Sequence, residues 1–158
     1  MKIPSDLHKE RIKYEAKGGG TCGPSILALL FGHSVEYIIT HWDKEYNGYA
    51  TFGEMKNELA LFSLAQVKRI GAKKSKKFKL PVGYWMAIAR IQWEGDWGHW
   101  AEAQKHTHYV LIQAWDAGSR IFCNSRGWFH YSEDKNYLKN GHITSFLVID
   151  DWKMVEPK

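Results

Sequence analysis

Gly18-Gly19-Gly20-Thr21-Cys22-Gly23-Pro24-Ser25, followed by Ile26-Leu27-Ala28-Leu29-Leu30-Phe31, is the stretch on which the reading of the chain turns. Three consecutive glycines favour no regular element, so they describe a loop that bends sharply or permits close approach. Thr21 suits a helix cap, Pro24 suits the first helical turn, and the apolar run predicts a buried helix stopped by Gly32. Cys22 then stands at a helix N-terminus, where unpaired N–H groups and the helix dipole favour negative charge and can activate a cysteine as a nucleophile. The plain alternative is a small buried cysteine filling a tight turn.

On the N-terminal side, Met1 to Lys17 is polar and charged, with Ile12, Tyr14 and Ala16 alternating with charges as in an arm or short strand. On the C-terminal side, Val35, Ile38, Ile39 and Trp42 recur at helical spacing behind a Ser34 cap. Thr51 and Glu54 form a capping box for a third helix, in which Met55, Leu59 and Phe62 share a face. From Tyr84 the pattern changes. Tyr84 to Ile91, Thr107 to Trp115, Arg120 to Ser125 and Ile143 to Ile149 are strand-like in length and rich in β-branched and aromatic residues. Helices followed by an antiparallel sheet predict an α+β fold, in a single domain spanning residues 1–158.

With 158 residues, 44% of them hydrophobic, the chain suits one ordinary domain with a real core and not a disordered segment. Lys and Arg number 22 against 17 Asp and Glu, a mild basic excess that permits acidic partners without demanding nucleic acid. The densest basic patch, Lys73 to Lys79, reads as a solvated loop, because no nucleic-acid motif accompanies it. No apolar run is long enough to span a membrane. Two cysteines are too few for a disulfide framework, and with no N-terminal apolar signal region a cytoplasmic protein is expected. A Cys22–Cys123 disulfide would require export. The glycine loop lacks the lysine and hydroxyl of a phosphate loop, and His99, His106 and His108 match no zinc spacing, so no cofactor or metal is expected.

A catalytic cysteine needs a base and a third group that holds the base in its working orientation. His108, opening the apolar run Tyr109-Val110-Leu111-Ile112, is the best-placed histidine. Asp116-Ala117-Gly118 fits a three-residue hairpin loop with a left-handed glycine. Trp115 then pairs with Ser119 and Val110 with Asn124, which makes Asn124 and His108 diagonal neighbours on one face. Cys123 falls on the other face in a buried structural role. A slip of one residue would separate Asn124 from His108. The long connection Gln92 to His106 carries Trp93, Trp97 and Trp100, which either line a substrate groove or cover the sheet.

Thr21-Cys22-Gly23-Pro24-Ser25 opening a helix, Thr107 to Ile112 opening a strand, Asn124-Ser125 on the next strand and Gly127-Trp128 after it resemble the papain-like cysteine peptidases. The likeness is to the compact members that process bacteriocin leaders, and it spans roughly residues 15 to 130 as motifs. It implies a nucleophile helix packed on an antiparallel sheet, with Cys22 attacking a carbonyl, His108 as base and acid, Asn124 orienting the imidazole, and a thioester intermediate. Gly20, Thr21 and Gly23, with the tryptophans, become the candidate substrate-binding positions for a peptide or protein. One departure stands out: the family's glutamine before the cysteine has no counterpart, since the first glutamine is Gln66. Acyl transfer through the same thioester, an inactive peptidase-like binding domain and nucleic-acid binding are the alternatives.

Overall fold

The computed structural model describes residues 21–46, 48, 50–62, 67–71, 85–96, 98–99, 106–116, 118–133, 137–139 and 141–149. Expectations about Met1 to Lys17, Gly18 to Gly20, Lys73 to Lys79, Trp97 and Trp100 fall outside these residues.

Among the described residues three helices come first: α1 (Cys22–Phe31), α2 (Val35–Thr40) and α3 (Phe52–Phe62). Their ends follow from local chemistry. Gly32 closes α1 in the left-handed conformation at φ +71°, a backbone shape that glycine adopts at least cost. The Ser34 hydroxyl accepts from the Tyr37 N–H at 3.0 Å to cap α2. The capping box of α3 is reciprocal: Thr51 N–H donates to Glu54 Oε2 at 2.7 Å, and Glu54 N–H donates to Thr51 Oγ1 at 3.2 Å. Thr21 differs from expectation. It occupies the cap position of α1, but its side chain makes no capping bond, and its buried hydroxyl has no partner among the described residues.

Six antiparallel strands follow among the described residues: β1 (Val67–Gly71), β2 (Trp85–Trp93), β3 (Thr107–Trp115), β4 (Gly118–Cys123), β5 (Gly127–His130) and β6 (Gly141–Ile149), in the order β1-β6-β2-β3-β4-β5. The α+β expectation therefore holds, with β1 and β5 added to the strands read from sequence. Alternation divides the sheet into two apolar faces. Ile88, Tyr109, Leu111, Phe122 and Leu147 pack with Ile26, Leu29, Ile38, Met55 and Leu59 of the helices. Ala87, Ala89, Ile91, Val110, Ile112, Ile121 and Cys123 form a second cluster on the other face. Among the described residues, no helix is long and apolar enough to cross a membrane.

The β3–β4 register corrects the sequence reading by one residue. Trp115 pairs with Gly118 and Leu111 with Phe122, which sets Cys123, not Asn124, opposite Val110. The glycine is the reason. Gly118, at φ +151°, is the first paired residue of β4 and not the last residue of a loop. The glycine-closed turn lies one hairpin later, where Arg126 N–H donates to the Cys123 carbonyl at 3.0 Å and Gly127 follows at φ +82°.

Candidate active site

Three elements converge on the site. Cys22 is the first residue of α1, and α1 packs against β3. Its helix is held close to α3 because position 23 is glycine: a Cβ there would lie 2.7 Å from Met55 Sδ. His108 is the second residue of β3, and the next residue, Tyr109, fixes that strand end by donating its hydroxyl to the Ala50 carbonyl at 2.9 Å. Cys123 ends β4, and Asn124 begins the turn beyond it.

The corrected register brings His108 and Cys123 together as diagonal neighbours on one face. Nε2 of His108 lies 3.2 Å from Cys123 Sγ, the ring's one well-formed hydrogen bond among the described residues. The same sulfur is 3.2 Å from Ser125 Oγ and 3.8 Å from Asn124 Oδ1. Asn124 is buried and reaches Cys123, not His108, so the direct contact expected between Asn124 and the imidazole is absent among the described residues. Trp93 stacks on His108 at 6.2 Å between ring centroids and 23° between planes. Tyr137 meets Trp93 edge-on at 6.3 Å. Gly141 leaves room for this arrangement, since a Cβ there would stand 2.6 Å from the Trp93 ring.

The charges follow from these contacts. Burial works to lower the pKa of His108, but the hydrogen bond to Cys123, a looser contact with Cys22 and the negative charge of both sulfurs push it up to about 10. Burial works to raise the Cys123 thiol, yet the His108 bond and charge, helped by Ser125 and Tyr137, bring it down to about 6. Near neutral pH the pair is an imidazolium and a thiolate. The Tyr137 hydroxyl is pushed upward by burial and by the Cys123 charge; it approaches the sulfur without a hydrogen bond of good geometry.

The other candidate positions fare differently. Cys22 is half-buried, whereas Cys123 is only 3% exposed, so Cys22 is the thiol that an outside molecule reaches more readily. The Thr21 side chain is buried, and its carbonyl is used by the Ser25 N–H at 2.9 Å. Gly23 is buried against Met55. Trp93 braces the histidine. Sequence reasoning missed Cys123 and Tyr137; a two-residue β3–β4 connection is the signal that finds Cys123. Among the described residues no group of three His, Cys, Asp or Glu side chains is arranged to hold a metal. Comparison with protein-family models, curated proteins and solved structures yields no match to this chain.

Proposed function

We propose that the chain is a cysteine-dependent amide-bond hydrolase, a peptidase in the first instance, with Cys22 as nucleophile and His108 as base and acid. The observation that carries this reading is the meeting of a helix-terminal, half-buried thiol with an imidazole whose pKa is raised in part by that same thiol. In this scheme the Cys22 sulfur attacks the carbonyl carbon as a thiolate beside the His108 imidazolium, its proton having gone to solvent. The imidazolium then protonates the leaving amine, and the acyl group remains on Cys22 as a thioester. Water, deprotonated by His108, resolves the thioester and releases the carboxylic acid.

The oxyanion of the tetrahedral intermediate needs donors. Helix geometry leaves the first N–H groups of α1 without intrahelical acceptors. Pro24 has no N–H, and Ser25 N–H is taken by Thr21, so the N–H groups of Cys22 and Gly23 are the two that serve. They stand in for the glutamine that the resembling family carries.

A peptidyl electrophile, with adducts located by peptide mass spectrometry, tests the reading. The expected result is an adduct on Cys22 that forms about 100-fold more slowly in His108→Ala, at the low end of what a positioned base supplies. Equal rates in both proteins would sink the hydrolase. They would favour instead a catalytically silent domain that grips peptides, the reading to which the missing glutamine points.

A further inference from the structure

We infer that Cys123 is the positioning residue of this site: its sulfur, 3.2 Å from Nε2 of His108 on the shared face of β3 and β4, fixes the ring and leaves Nδ1 for Cys22. The inference rests on the hydrolase reading for its catalytic meaning, though not for its geometry.

An imidazole has two nitrogens, and a hydrogen bond at one determines which proton the other can take. With Nε2–H of the imidazolium donating to the Cys123 thiolate, the Nδ1 proton is the one free to leave with the amine. The ring is held against a fixed negative charge, and once the Nδ1 proton has left, the bare Nδ1 takes the proton of the resolving water. Cys123 neither gains nor loses a proton in the cycle; it plays the part that a carboxylate or amide plays behind other catalytic histidines. Its surroundings suit that part and not attack on a substrate. Cys123 is 3% exposed and closed in by the second apolar cluster, while Ser125 Oγ at 3.2 Å offers a hydroxyl to the thiolate. Asn124 begins the turn beyond it, with Oδ1 3.8 Å from the same sulfur.

Two variants of the full chain separate this role from packing: Cys123→Ser, which keeps the volume, and Cys123→Ala, which removes the polar atom. Two readouts are taken, the His108 ring titration by nitrogen-detected NMR and the rate of Cys22 alkylation by iodoacetamide against pH. In both variants the His108 midpoint is expected to fall by at least about one pH unit and Cys22 alkylation near neutral pH to slow roughly tenfold, with circular dichroism unchanged. A folded Cys123→Ser whose His108 midpoint matches wild type overturns the inference. So does faster alkylation of Cys123 than of Cys22 in wild type. Should the His108 midpoint fall while Cys22 alkylates no faster than a free cysteine, Cys123 positions the ring as inferred and the hydrolase reading is the part that fails.

Discussion

At the scale of single residues, a buried thiolate and an imidazolium that depend on each other make stability a function of pH. The Cys123 thiol is drawn from 9.0 to about 6, so its contribution is present above the ordinary thiol range and is lost as pH falls through about 6. His108 is raised from 6.5 to about 10, so its contribution is full below 6.5 and is lost as pH climbs through about 10. Together they predict a plateau of stability between about pH 6.5 and 9, where the two slopes cancel, and a decline on either side. Cys22, Ser125, Tyr137 and, next to Tyr137, Arg126 are the other polar groups acting on the pair. Urea midpoints measured across this range are expected to show both flanks in wild type and to flatten in Cys123→Ser. Superimposable profiles would mean that the ion pair contributes nothing to the fold. Cys22 and His108 were legible in the sequence because each opens an apolar run. Cys123 was not, because its partner depends on a register that one glycine misdirects.

At the scale of elements, the helices owe their boundaries to residues within a turn of each end. Removing one member of a reciprocal box exposes this dependence. Thr51→Ala leaves the Glu54 N–H without its acceptor and is expected to cost about 1 kcal/mol in a urea titration. A loss below a few tenths would show that packing of Met55 and Leu59 alone sets the start of α3. The same locality explains why the helices, the Ser34 and Thr51 caps and the four longer strands could be read from residues alone, whereas the Thr21 cap could not. Strands β1 and β5 escaped because they are short and lie at the two sides of the sheet. Val67-Lys68-Arg69-Ile70-Gly71 carries two cations, and among the described residues it pairs only with β6, far along the chain. The β3–β4 register escaped for a different reason. Gly118 fits either the end of a three-residue loop or the start of a strand, and only pairing across the hairpin distinguishes them.

For the molecule as a whole, the sheet is a wall with apolar residues on both sides, and β2 runs through its interior between β6 and β3. Ile88 is fully buried against the helical layer, and Ile88→Ala is expected to cost about 2–5 kcal/mol by leaving a cavity that rigid neighbours cannot close. Denaturant unfolding measures it: the midpoint should drop while the slope is kept, and a change below about 1 kcal/mol would mean that the layer collapses around the smaller side chain. The strand order has a further consequence, in time. The final strand, β6, enters between β1 and β2, and Cys22 is translated long before His108 and Cys123. Pairings so distant along the chain are slow to close. A nascent chain therefore carries Cys22 apart from His108 and Cys123 until the strands that bear them are made and docked.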